Sequence, residues 1–366
     1  MKDFINQIEP WIDEEEREQL HRVIDSTFVT ESSLTKEFEQ RIKDLTGSKH
    51  AIAMTNGTAA LFCCLKALGI GEGDEVIVPD MTFIATANAV LMAGATPVMI
   101  DVSRKDLGID PTKLKKHINT NTKAVMPVHL YGGAANLKDI KKICDTYGIF
   151  LIEDAAQGVG VYYDDQHVGT FGDLGILSFY GNKTITCGEG GIVLTEDDEL
   201  AAACYRLKNH GRDKKGIFIH SHIGYNFAFT EMQAAIGIAQ MNKLQRITEK
   251  KKNIRDLYIK SLRDIEELEP LLFDDHISPV YWFTSFFSDR KKDLQIHLAE
   301  NNIQTRDFFY PLHKQPCYKH FNLKEENFIT STTLYNRGIS LPSAVSLTPY
   351  NQYRVINCIK DFFTNG

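Results

Sequence analysis

The feature that most constrains this chain is a series of short apolar runs, each followed by a segment with helical spacing. EVIVPD, TPVMIDV, KAVMPVHLY and GIFLIEDAA are apolar throughout, and stretches such as LKDIKKICDTYG lie between them. A strand that is apolar at every position buries both of its faces, and a strand separated from the next by a helix pairs with it in parallel. The expected fold is therefore α/β, with a largely parallel sheet covered by helices on both sides. Ligands of such sheets bind beyond the carboxyl ends of the strands.

That rule directs attention to the residues that end the apolar runs. Asp154 closes FLIED, so its carboxylate is expected at the ligand edge, with Gln157 one short turn later; a cap for the following AAQGVG is the competing use. Ser178 ends a run of its own and reaches the same edge, where its hydroxyl can meet a phosphate or satisfy a backbone group. Between Ser178 and Gly191 runs SFYGNKTITCGEGG, which presents Lys183 on a connection between two strands. Glycines at 181, 188, 190 and 191 let that backbone turn sharply and approach a ligand. Taken alone, a lysine in such a glycine-rich turn is more often a solvated surface residue, and only the other stretches point to chemistry here.

Upstream, HAIAMTNGTAALFCCLKALG reads as strand, small-residue turn and helix. The backbone N–H groups of Thr58 and Ala59 at the helix start form a candidate phosphate cradle, or an ordinary turn. Phe83 stands near the start of the helix in MTFIATANAVLMAGA. In the leading arm, Ser33 or Thr35 is placed to cap the helix of TKEFEQRIKDL. Downstream, HGRDKKGIFIHSH reads as a polar loop, and GYNFAFTEMQAAIGIAQ opens a long amphipathic helix. The small residues in its first half suit close packing against a second subunit or within the chain. The expected division is residues 1–250, an arm and a large domain, and residues 251–366, a smaller α+β domain.

A net charge of -7 argues against a dedicated nucleic-acid binder, as does the absence of a basic helix-turn-helix pattern. The acidic N-terminus has no signal-like apolar run, and no stretch is long enough to span a membrane, so a cytoplasmic location is expected. The 7 cysteines are scattered without metal-ligand spacing and read as reduced thiols, with Cys63 and Cys64 packed in a helix. His220 and His222 lack a surrounding ligand cluster, and no metal is expected.

A lysine amine, a strand-end carboxylate, a hydroxyl and a helix N-terminus together suit pyridoxal phosphate. Its aldehyde needs a lysine for a Schiff base, and its pyridinium nitrogen needs an anion to stay protonated. Over nearly its whole length the sequence resembles the DegT/DnrJ/EryC1/StrS aminotransferases. The resemblance lies in TNGTAAL, GDEVIVPDMTFIATANAV, MPVHLYG, LIEDAAQGVG, SFYGNKTITCGEGG and GYNFAFTEMQAAIGIAQMNKL, and the lysine stretch is especially similar to the perosamine synthase branch.

The resemblance implies a type I aminotransferase fold and a homodimer with active sites at the subunit interface. It also implies ping-pong transfer of an amino group from glutamate to a nucleotide-linked 4-keto-6-deoxy sugar, for surface polysaccharides. By the same resemblance Lys183 is the Schiff-base lysine and proton carrier, Asp154 the pyridinium partner, and Gln157 the neighbour of the ring hydroxyl. Thr58, Ala59 and Ser178 match phosphate contacts, Phe83 the stacked aromatic ring, and Asn226 a phosphate contact from the other subunit. His313 matches a stretch near the sugar. Related dehydratases carry histidine at the lysine position, so Lys183 favours transamination.

Two departures bear on the substrate. Family members often have arginine after the Asn-aromatic pair, where this chain reads Asn226-Phe227-Ala228, and the arm segment 27–33 lacks their Gly-Trp pair. A smaller phosphorylated ketone is the rival acceptor, and a cofactor-binding regulator is the rival of a different class.

Overall fold

The computed structural model describes residues 3–214 and 216–365. Helices α1 (Glu14–Ser26) and α2 (Ser33–Thr46) lead into strand β1 (His50–Met54) and helix α3 (Gly57–Ala67). Then come β2 (Glu75–Pro79), α4 (Ala85–Met92), β3 (Thr96–Ile100), the short α5 (Pro111–Leu114), β4 (Thr122–Val125), α6 (Leu137–Tyr147) and β5 (Phe150–Asp154). A ribbon of β6 (Tyr162–Tyr163) and β7 (Gln166–His167) precedes β8 (Leu174–Ser178), β9 (Gly191–Thr195) and α7 (Asp198–Lys208).

Seven of these strands form one sheet in the order β1-β9-β8-β5-β4-β2-β3. β9 runs antiparallel to both neighbours, while β8, β5, β4, β2 and β3 pair in parallel. The apolar runs are explained by burial on both faces: Val76 and Val78 pack with Leu61 and Val90 on one side, while Ile77 packs with Val125 and Ile140 on the other. Helices α2 and α8 (Glu231–Leu262) cover the opposite face near β8 and β9, with Phe38, Leu177 and Ile238 in one cluster.

The start of α2 departs from the expected cap. Neither Ser33 nor Thr35 caps it with a side chain; the carboxylate of Glu231, at the start of α8, accepts from the backbone N–H groups of Ser32, Leu34 and Thr35, each at 2.8 Å. A carboxylate bonds these donors more strongly than a hydroxyl, because charge-assisted hydrogen bonds are the stronger kind. Burial pushes the Glu231 carboxyl up, but the bonds from Leu34 and Thr35 outweigh it and hold the group below its ordinary range. The small residues of α8 serve packing within the chain: a Cβ on Gly237 would stand 2.7 Å from the Phe38 ring.

The rest of the chain builds a smaller layer. β10 (Glu269–Pro270), β12 (Thr284–Phe287), β14 (Gly338–Leu341) and β13 (Arg306–Asp307) form an antiparallel sheet in that order, and β11 (Ile277–Ser278) joins the β6–β7 ribbon. α9 (Lys291–Glu300), α10 (Ile329–Arg337) and α11 (Pro349–Asn365) accompany them. Residue 250 falls inside α8, which passes from one layer to the other without a break: Ile247 packs with Phe38, and Ile254, Tyr258 and Leu262 pack with Phe286 and Ile356. The first residues of the chain join the second layer too, since Ile5 bridges Ile303 and packs in the same cluster.

Lys251, midway along α8, is buried and donates to the carbonyls of Trp282 (3.0 Å) and Ser343 (3.2 Å). Burial pulls its amine down to about 7. Below that pH both folded and unfolded chains hold the proton. Between there and the ordinary lysine value of 10.5 the unfolded chain holds it and the folded chain does not, so stability rises with pH, by up to about 1.4 kcal/mol per pH unit. A Lys251→Met variant should lose that slope. Denaturation of cofactor-free protein at pH 7 and pH 9 checks this, and equal slopes for variant and wild type would refute it.

Candidate active site

A cavity of about 600 Å³ opens at the carboxyl ends of β5 and β8. Thr58, Ala59, Phe83, Asp154, Gln157, Ser178 and Lys183 all line it, although they come from segments spread over more than a hundred residues. The parallel pairing of β5 with β8 sets Asp154 beside Ile176 in register, which brings the carboxylate and Ser178 to one edge.

Lys183 sits on the loop 179–190, closed at its base by Phe179 N–H to Gly190 O (2.9 Å) and turned at Lys183 N–H to Tyr180 O (2.9 Å). Of the four glycines expected to admit a ligand, Gly190 and Gly191 serve chain packing instead, while Gly181 and Gly188 have open space around them. A Cβ on Gly191 would lie 2.5 Å from the Asn56 carbonyl carbon, and one on Gly190 3.0 Å from the Phe229 ring. These contacts let the N-terminus of α3 lie directly against the base of the lysine loop. At that N-terminus a Cβ on Gly57 would fall 3.2 Å from Ser178 Cβ, so a bare backbone and a hydroxyl share a narrow cradle.

The cradle differs from the expected one in a single donor. Ala59 lines the cavity, but its N–H is given to Asn56 Oδ1 (2.8 Å), the side chain that caps α3. An anion there therefore meets the N–H groups at the very start of the helix, those of Gly57 and Thr58, together with the Ser178 hydroxyl.

Asp154 is buried, with Oδ2 accepting from Thr86 Oγ1 (2.7 Å) and Oδ1 from Ala156 N–H (3.2 Å). Burial pushes its carboxyl up, against the pull of these bonds and of the Lys183 charge. No helix follows Asp154, so the capping role has nothing to cap. Burial pulls the Lys183 amine down to about 8, with Asp154 opposing and the Arg306 charge assisting. Gln157 Oε1 accepts from Tyr131 N–H (2.7 Å), which leaves its amide N–H groups for the cavity.

Two anticipated residues lie elsewhere. The side chain of His313 is turned to Asp80, with Nδ1 2.7 Å from Oδ2, and stacks on Phe328; it is absent from the cavity lining. The reason is local: Asp80 also accepts from the His313 backbone N–H (2.7 Å), so both ends of the residue are held on β2's exit. Asn226 is exposed and outside the lining, although its neighbour Phe227 is inside it. Sequence reasoning missed Trp282, Arg306 and Phe309, which the second layer brings to the rim. Among the described residues no group of three His, Cys, Asp or Glu could hold a metal ion, and no helix is long and apolar enough to cross a membrane.

An amine and an acid that line one cavity, each displaced by burial from its ordinary basicity, wait for a third body that satisfies both. A ring with an aldehyde at one end, a basic nitrogen at the other and a phosphate on a side arm fits the lysine, the acid and the cradle, which defines the class of lysine-dependent pyridoxal phosphate enzymes. Within it, the chain belongs to the DegT/DnrJ/EryC1/StrS aminotransferase family, whose model matches residues 10–360. It is 37% identical over 361 residues to a GDP-perosamine synthase of Vibrio cholerae, covering 97% of this chain and 98% of that one. It is 35% identical to a GDP-perosamine synthase of Escherichia coli O157:H7, covering 99% of each. The crystal structure of S. venezuelae DesV in complex with a ketimine intermediate superimposes with a TM-score of 0.93 at 29% identity, covering 99% of both chains.

Proposed function

We propose that this enzyme transfers an amino group from L-glutamate to a nucleotide-linked 4-keto-6-deoxy sugar, for surface polysaccharides, using pyridoxal phosphate. The observation that carries the reading is the placement of Lys183 and Asp154 across one cavity that ends in the Gly57–Ser178 cradle. Pyridoxal phosphate supplies an electron sink and carries the amino group between the two substrates. Lys183 would hold it through its amine and would serve as the base that carries the proton at the substrate carbon. An amine brought down to about 8 is free in useful amount near neutral pH, as a base must be. Asp154 holds the proton on the ring nitrogen, and Thr86, by its bond to Oδ2, orients the acid. Gly57, Thr58 and Ser178 would hold the phosphate, Gln157 would offer an amide N–H to the ring hydroxyl, and the exposed Phe83 would supply the aromatic face for the ring.

The sugar-nucleotide acceptor is supported by the two GDP-perosamine synthases that resemble this chain along their whole length. It is supported as well by Arg306, which brings a guanidinium to the cavity although Ala228 leaves the usual turn without one. Its test is an acceptor screen on the aminated cofactor form: nucleotide-linked 4-keto-6-deoxy sugars should restore the original spectrum, and restoration by simple phospho-ketones alone would overturn the assignment.

The same reading has the enzyme act as a cytoplasmic homodimer with shared sites. Supporting the dimer is the loop expected to be polar, which exposes Ile217, Phe218 (81%), Ile219 and Ile223 (86%), an unusual apolar surface to leave in water. Asn226, facing outward at its end, is positioned to reach a neighbouring cavity. Sedimentation of the purified protein tests this; a monomer at micromolar concentration sinks it.

A further inference from the structure

Trp282 is 3% exposed, and its ring lies 4.5 Å from Lys183 Nζ. Its indole N–H donates to the carbonyl of Asn182 (2.6 Å), the residue immediately before the lysine. Phe283 stacks behind it with centroids 3.9 Å apart, and the carbonyl of Trp282 is held by Lys251 (3.0 Å). One aromatic plate, fixed at both ends by the second layer, thus touches the lysine at its amine and pins the backbone from which that lysine springs. Packing alone calls for neither contact.

We propose that Trp282 is the positioning residue for Lys183, its indole face holding the free amine over the cavity while its N–H fixes the Asn182 carbonyl. The proposal rests on Lys183 being the cofactor-bearing lysine. During turnover that amine must leave the cofactor and return to it carrying a proton. A long, flexible lysine side chain released into a cavity otherwise samples many rotamers. A ring face attracts the ammonium form, so the plate also sets how readily the lysine holds its proton. The other ionisable residues facing this cavity are Asp154, Glu189, Tyr180 and Arg306; of these only Tyr180 meets the lysine's backbone, through its own carbonyl and not its ring.

The test compares Trp282→Leu and Trp282→Phe with wild type, first without cofactor. Lys183 is carbamylated with cyanate across pH 6 to 10, and its peptide is quantified by mass spectrometry. In wild type the rate, divided at each pH by the concentration of isocyanic acid, the reactive form of cyanate, should rise to a plateau with a half-point near pH 8. In Trp282→Leu, losing the ring face should lower the half-point by about half a pH unit to one. Trp282→Phe keeps a face and should keep the half-point. With pyridoxal phosphate and L-glutamate, Trp282→Leu should slow the single-turnover half-reaction at least about tenfold, with glutamate affinity changed less than about threefold, and phenylalanine should recover most of the rate. An unchanged half-point and rate in Trp282→Leu would overturn the proposal, as would equal losses in both variants. A wild type that shows the carbamylation pattern but never binds pyridoxal phosphate would sink the cofactor reading and leave the Trp282–Lys183 link standing.

Discussion

A Lys183→Ala protein should fold, bind pyridoxal phosphate weakly and transfer no measurable amino group, with turnover down by about 10⁴-fold or more. Proton transfer by a positioned base is worth about 10² to 10⁴ in rate, and in the proposed function this lysine is also the covalent anchor, so two contributions vanish together. The absorbance spectrum of the loaded protein separates them from a folding defect. Wild type should show a visible band that glutamate removes, and the variant should show neither the band nor the response. Thermal midpoints of the two cofactor-free proteins should agree closely or favour the variant, because the amine lies in a setting that depresses it to about 8 and alanine removes that burden. A variant that keeps the band, or turns over within tenfold of wild type, would return Lys183 to the status of a turn lysine.

The residues that a single stretch of sequence could place are those at strand ends. Asp154 and Ser178 were legible because an apolar run that stops at a polar residue must surface there, and a parallel sheet gathers such ends on one edge. Lys183 was legible as the lysine between two apolar runs. Trp282, Arg306 and Phe309 were not, because VYWFTSFFS and TRDFFYPLH carry only strand-like patterns and nothing local says which layer they will cover. Only the return of α8 across the sheet brings them to the lysine. Gly190 and Gly191 show the reverse error: the glycines were visible, but the use of these two in admitting Phe229 and Asn56, not a ligand, depended on distant partners. Ala59 and His313 fail for a related reason. A sequence shows that a donor exists, whereas Asn56 and Asp80 decide where it is spent.

Asp154→Asn provides the sharpest division between a catalytic carboxylate and a structural one. Asparagine has the same shape: its Oδ1 can accept from Ala156 N–H while its amide N–H donates to Thr86 Oγ1, whose hydroxyl turns to accept, so the local geometry should survive. It cannot carry the negative charge that keeps the cofactor's ring nitrogen protonated, and removing one such electrostatic partner typically costs about 10² to 10³ in rate. Stability should move the other way. Burial raises the Asp154 carboxyl, so from the ordinary value of 3.8 up to its raised value the folded chain binds the proton that the unfolded chain has lost. Stability contributed by this group therefore falls as pH rises through that window, and the buried acid is a burden on the cofactor-free fold above the ordinary value. Cofactor-free Asp154→Asn should accordingly melt at or above the wild-type temperature at pH 7, while the loaded variant turns over about 10² to 10³ times more slowly. A structural acid predicts the opposite pairing, a lower melting temperature with activity following the folded fraction. The catalytic role is the one that makes the protein less active and no less stable, since a charge held in place for a ligand is costly until the ligand arrives.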